Sequence, residues 1–155
     1  MKWKEDRLID APINVVWDLF LEEHATRIMP KVLENRWLDK KQEMKGSTYE
    51  QTYQEGKRKE TYVVKIVKFE DTENRKHKHI QFNLAHAFEM NLEFTLEKVS
   101  EQQTKFVYAG ENRGINFVGR AMLKLGSGKN GDKVVHEFLD RVEQEALKDY
   151  NLMSY

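Results

Sequence analysis

No cysteine occurs in the chain, which excludes disulfide cross-links and thiolate chemistry and removes any need for an oxidising compartment. Neither sign of charge is in excess. Lys plus Arg and Asp plus Glu number 26 each, for a formal net charge of zero, so no global field draws the chain toward nucleic acid or an anionic membrane. Such a partner would need a local patch. No apolar run reaches the length of a signal peptide or membrane span, and Met1 to Arg7 carries charge throughout. A cytoplasmic protein is expected, with no nucleic-acid partner and no stable membrane insertion. Proline is scarce, at Pro12 and Pro30 only. Internal repeats, low-complexity tracts and interdomain linkers are missing too.

What is present fits one globular domain. The 155 residues are 39% hydrophobic and 34% charged, enough to bury a core in a single unit over residues 1–155. Trp3 to Ile9 reads as a strand ending at Asp10. Pro12 lacks the N–H that a ladder needs but suits a helix entry. Ile13, Val16, Trp17 and Phe20 then follow at i, i+3, i+4 and i+7, an apolar stripe that leaves Asn14 and Asp18 outside. A second short helical stretch, Glu22 to Met29, stops at Pro30, because the residue before proline avoids the helical region.

The period then changes to two. Lys31 to Leu38 is a weak strand. Gly46 opens a stronger one, in which Tyr49, Gln51 and Tyr53 alternate with Thr48, Glu50 and Thr52, before a polar turn over Gln54 to Lys57. Thr61 to Phe69 is rich in β-branched and aromatic residues. A charged turn, Glu70 to Lys78, is expected before Ile80, Phe82 and Leu84. Phe88, Met90, Leu92, Phe94 and Leu96 alternate with Glu89, Asn91, Glu93, Thr95 and Glu97, as in a strand with one face to the core and one to water. Phe106, Tyr108 and Gly110 continue the pattern. No glycine or asparagine marks the turn between Leu84 and Phe88.

The last helix organises the rest. From Gly131 to about Tyr150, the residues Val135, Phe138, Leu139, Val142, Ala146 and Tyr150 recur at three- and four-residue steps, on one stripe of a 3.6-residue helix. A helix of ~30 Å can cross a whole sheet, and this one needs a sheet to bury its stripe. Short turns between successive strands favour an antiparallel meander over parallel crossovers. Gly110, Gly114, Gly119, Gly126, Gly128 and Gly131 all fall between the last strand and this helix, where the chain should bend.

Ile9-Asp10-Ala11-Pro12, followed by Val16-Trp17 and Phe20, resembles the opening of the START-like, or Bet v 1-like, superfamily (SRPBCC), which includes polyketide cyclases and dehydrases. The element order is similar as well, over essentially the whole chain. The resemblance implies an α+β helix-grip fold, a curved antiparallel sheet wrapped on a long carboxy-terminal helix with two short helices after the first strand. It also implies a cavity for an apolar or amphipathic small molecule. Members range from lipid carriers and hormone-binding proteins to cyclases, aromatases and chaperone-activating domains, so the fold alone selects no function.

Several motifs have plainer readings. Gly126-Ser127-Gly128-Lys129-Asn130-Gly131 has the form of a dinucleotide-binding loop, but the chain leaves no room for the second strand and ribose-binding acid, so a hinge and helix start is expected. His136-Glu137-Phe138-Leu139-Asp140 has Asp140 where a zinc motif needs its second histidine, and the other histidines do not cluster by spacing. No metal site and no cofactor is expected. The basic runs Lys57-Arg58-Lys59 and Arg75-Lys76-His77-Lys78 read as solvated turns at opposite ends of the sheet. Ile115 to Leu125 is either a gate, with Phe117, Val118 and Met122 turned inward, or a packed short helix.

The expected inward set is Tyr49, Gln51, Tyr53, Tyr62, Phe82, Leu84, Met90, Leu92, Phe94, Phe106 and Tyr108 from the sheet, with Val135, Phe138, Leu139 and Val142 from the last helix. His86 is added at the rim, Phe117 and Met122 as inward residues of the gate, and Asn83 and Asn112 as further polar groups. Hydroxyls need partners when buried, and several of them on an otherwise apolar concave face suit a pocket with few orienting contacts. Together with the resemblance, this implies an apolar or amphipathic ligand, such as a lipid, a polyketide-like molecule or an aromatic. Binding without turnover is the first reading, because no paired acid and base is recognisable as a motif. The alternatives are an enzyme of cyclase or dehydrase type using the same cavity and a chaperone- or protein-interaction domain; no particular protein partner is implied.

Overall fold

The computed structural model describes residues 1–126 and 129–153, the side chains of 123–126 and 129–130 excepted. Its elements are β1 (Lys2–Ile9), α1 (Ile13–Asp18), a 3-10 turn (Glu22–His24), α2 (Ala25–Ile28), β2 (Val32–Asp39), β3 (Thr48–Glu55), β4 (Arg58–Asp71), β5 (Arg75–Leu84), β6 (Phe88–Ser100), β7 (Gln103–Gly114), α3 (Phe117–Gly126) and α4 (Lys129–Met153). The strands form one sheet in the order β1-β7-β6-β5-β4-β3-β2, every neighbouring pair antiparallel. Because β1 and β2 are opposite edges, α1, the 3-10 turn and α2 carry the chain across the open side of the sheet.

The apolar stripes meet as their spacing requires. Ile13, Val16, Trp17 and Phe20 are buried, as are Val135, Phe138, Leu139, Val142 and Ala146 of α4. Phe138 packs its ring 4.6 Å from Tyr108 and 5.9 Å from Phe94, while Phe20 lies 5.1 Å from Phe94 and 5.4 Å from Phe106. Two arginines fix α4 at its polar flanks. Arg7 of β1 reaches Asp140 and Glu143 at 2.8 Å each, and Arg27 of α2 makes a two-pronged contact with Asp149 at 2.8 and 2.9 Å. This is the helix-grip arrangement. One glycine is dictated by it, since a Cβ on Gly110 would lie 2.2 Å from the Trp3 ring.

Three stretches differ from the sequence expectation. The Glu70 to Lys78 turn is confined to 72–74, closed by Thr72 Oγ1 donating to the Arg75 carbonyl at 2.7 Å, and the flanking charged residues extend β4 and β5. Consequently Arg75-Lys76-His77-Lys78 is not a solvated run. It alternates across the sheet, and Lys76 and Lys78 are only 5% and 4% exposed. The unmarked hairpin after Leu84 turns through Ala85 and His86, with φ of 58° and 53°, a left-handed conformation that these residues disfavour. Outside partners hold it: Ala85 N–H donates to Glu60 Oε1 at 2.7 Å and Asn116 Nδ2 to the His86 carbonyl at 2.9 Å. Of the Gly126 to Gly131 stretch, Ser127 and Gly128 lie outside the described residues.

Candidate functional site

Alternation on β5 sends Lys78 to the inner face, beneath the chain between α1 and α2. There it meets Glu22, with Nζ 2.9 Å from Oε1 and side chains 5% and 6% exposed. Lys78 also donates to the Phe20 carbonyl and lies 5.6 Å from the centre of the Trp17 ring. Two ions taken this far from water persist only when they are paired and hydrogen-bonded. A polar chain continues from the pair across β2, β3 and β4. Asn35 Nδ2 donates to the Glu22 carbonyl at 2.9 Å, Gln51 Nε2 to Asn35 Oδ1 at 2.9 Å, and the Tyr62 hydroxyl to Gln51 Oε1 at 2.6 Å.

Space lies on both sides of the pair. Inward is a void of about 30 Å³ bounded by Phe20, Ile28, Tyr49, Gln51, Ile80 and Phe94, room for about one water molecule. Outward is a recess of about 170 Å³ lined by Trp17, Leu21, Met44 and Phe69, with Lys40, Glu23 and Asp71 at its rim and Glu22 and Lys78 beneath. Trp17 and Phe69 pack against each other, with ring centres 5.9 Å apart and planes tilted by 50°.

The expected inward residues divide into groups. Tyr49, Gln51, Phe82, Leu92, Phe94, Phe106 and Tyr108 are buried, as are Val135, Phe138, Leu139 and Val142 on α4; Tyr62, Leu84 and Met90 are half-buried. Tyr62 stacks on Phe82 at 4.7 Å and Phe94 on Tyr108 at 5.6 Å, so these rings largely fill the interior themselves. Tyr53 is half-buried near the end of the sheet, its hydroxyl donating to Glu55 at 2.7 Å. His86 is exposed in its turn, and Asn83 is exposed too. Phe117, Val118 and Met122 are not turned inward: they are 79%, 60% and 54% exposed. Gly119 of α3 sits against the Ala87 carbonyl, so a glycine, not an aromatic, makes the close contact of this helix.

Burial is the leading cause raising the phenol pKa values of Tyr49, Tyr62 and Tyr108 above their ordinary value. These hydroxyls therefore stay protonated and able to donate at neutral pH. Elsewhere in the interior Trp3 Nε1 and Asn112 Oδ1 are buried without a hydrogen-bond partner among the described residues. Glu22 and Lys78 are the functional candidates that pattern reading missed, because they are 56 residues apart and belong to no spacing motif. The strict in-and-out alternation through 75–78 was the available signal.

No family model matches the sequence, and no curated protein matches it. Solved structures do. The chain superposes on the ZhuI aromatase/cyclase from Streptomyces sp. R1128 with a TM-score of 0.72 at 14% identity, covering 96% of this chain and 94% of that one. For norcoclaurine synthase from Thalictrum flavum in complex with dopamine and hydroxybenzaldehyde, the TM-score is 0.64 at 12% identity, over 96% and 87% of the two chains. For the di-domain aromatase/cyclase BexL it is 0.69 at 15% identity, over 94% of this chain and 46% of that chain. The chain has the helix-grip fold of Bet v 1-like proteins. No helix among the described residues is long and apolar enough to cross a membrane.

Proposed function

We propose that this chain, a single domain over residues 1–155 acting in the cytoplasm, binds a small aromatic or otherwise amphipathic molecule. The ligand's ring lies in the recess against Trp17, Met44 and Phe69, and its polar group meets Lys78 and Glu22. The observation that carries this reading is a buried ion pair forming the floor of an apolar recess. A phenol suits that floor better than a simple anion: its oxygen accepts from Lys78 and its O–H donates a hydrogen bond to Glu22, whereas a carboxylate would face the Glu22 charge. The recess volume of about 170 Å³ is on the scale of the ~150 Å³ cavities that take up benzene. The dopamine and hydroxybenzaldehyde held by the Thalictrum flavum structure are single-ring aromatics of this kind, which supports the reading.

A second reading has its own observation. Lys78 and Glu22, 2.9 Å apart, are an acid and a base within proton-transfer reach, so the same recess suits an enzyme. A thermal-shift panel of phenol, 4-hydroxybenzaldehyde and benzene tests both. Binding raises the melting temperature by mass action, phenols should do so more than benzene, and a Lys78→Met/Glu22→Leu double variant should lose the preference. No stabilisation by any phenol would overturn the proposal. Turnover abolished in the double variant with binding retained would select the enzyme.

A further inference from the structure

Between Glu111 and Asp132 the chain has no carboxylate side chain, its longest such stretch, and carries Arg113, Arg120, Lys124 and Lys129. In a chain of zero net charge, this is the local patch that an anionic partner needs. α3 lies within it. The helix is held to the sheet through backbone. Gly119 packs against the Ala87 carbonyl, where any Cβ would collide, and Ile115 N–H donates to that same carbonyl at 2.9 Å. Asn116 ties the first turn down, its Oδ1 accepting from Gly119 N–H at 2.8 Å and its Nδ2 donating to the His86 carbonyl at 2.9 Å.

A contact made by a glycine uses up no large side chain. Phe117, Val118, Ala121 and Met122 fall at i, i+1, i+4 and i+5, on one side of a 3.6-residue helix, and all four are exposed, as is Ile115 just before them. Arg120 lies one turn on from Phe117 and is exposed as well. Lys124 follows after one further turn. An exposed apolar patch of this kind marks a binding surface, and here its flank is basic.

The flank decides between partners. A second copy of this chain, meeting in a two-fold contact, would set α3 against α3 and bring two basic flanks together. Nucleic acid would pair the cations but leave Phe117, Val118 and Met122 without an apolar phase. An anionic bilayer answers both demands, because its headgroups take the cations while the acyl boundary takes the apolar side chains. We propose that the outer face of α3 docks this protein reversibly on an anionic lipid surface, with Phe117, Val118 and Met122 inserted and the basic flank at the headgroups. No spanning segment is involved. The recess at Trp17 takes no part, so docking and ligand binding can fail separately.

Cosedimentation of the full chain with two kinds of vesicle tests the proposal, one of phosphatidylcholine alone and one of equal parts phosphatidylcholine and phosphatidylserine. The mixed vesicles should bind it more tightly, and binding should fall as salt is raised, since surface attraction is screened. Phe117→Ser/Met122→Ser should weaken binding about tenfold or more, and Arg120→Ala about fivefold, at ~1 kcal/mol for each basic residue near the surface. Both variants change exposed side chains, so their melting temperatures should match the parent. Val63→Ser, at an exposed valine of β4, should leave binding unchanged. No cosedimentation with the mixed vesicles, equal binding to both kinds, or binding indifferent to the α3 variants would overturn the proposal. So would a dimer in sedimentation velocity that Phe117→Ser/Met122→Ser disperses.

Discussion

Replacing Lys78 by methionine removes a charge while keeping most of the volume, so its cost measures what the buried pair demands. The Glu22 side chain, 6% exposed, would be left without its partner, and the Phe20 carbonyl would lose its donor. Stranding one member of a buried ion pair costs about 3–5 kcal/mol. At about 2–4 °C per kcal/mol for a chain of this size, melting should fall by roughly 6–20 °C. Adding Glu22→Leu removes the stranded charge, and most of the loss should be recovered, because apolar replacement of a buried pair is often close to neutral. The double-mutant cycle, by urea titration with the slope checked for constancy, should give a coupling of at least ~2 kcal/mol. If Lys78→Met alone costs under about 0.5 kcal/mol, Lys78 is solvated and the site has been misread.

Trp17→Ala should cost about 3–5 kcal/mol, as large-to-small core changes do, and should also open the recess to water; a loss below about 0.5 kcal/mol in denaturant would place that ring outside the core. Gly110→Ala sets a methyl against the Trp3 ring and should destabilise by about 1–3 kcal/mol, with a shift in Trp3 fluorescence; an unchanged spectrum would count against the contact. The phenols of Tyr49, Tyr53, Tyr62 and Tyr108 have raised pKa values, with burial as the leading cause in each. Folding therefore favours their protonated form. The stability this contributes is complete below the unfolded value of ~10 and is lost as pH rises through the folded values. Phenolate absorbance should show these four ionising late and together with unfolding; ionisation of every tyrosine near pH ~10 in the folded protein would refute the burial.

The fold was legible because it is written in periodicity. The α4 stripe from Val135 to Ala146 and the alternation from Phe88 to Leu96 each fit one element, and burial follows them. The hairpin at Ala85 and His86 was not legible, since its left-handed residues carry no turn signature and are held by Glu60 and Asn116 from elsewhere in the chain. Composition misled at 70–78, where charge suggests water, yet a lysine on the inner face of a strand is retained if a carboxylate comes to meet it. Glu22 does so from a separate element. That meeting is a product of tertiary structure. Phe117 and Met122 show the converse, apolar residues that pattern reading turns inward but that α3 leaves facing outward.

The most direct test of the central claim is a crystal structure of the full chain soaked with 4-hydroxybenzaldehyde. The account predicts density for the ring in the recess against Trp17 and Phe69, with an oxygen within about 3 Å of Lys78 Nζ, a normal hydrogen-bond distance. A recess holding only water under saturating ligand, with Lys78 and Glu22 undisturbed, would contradict it.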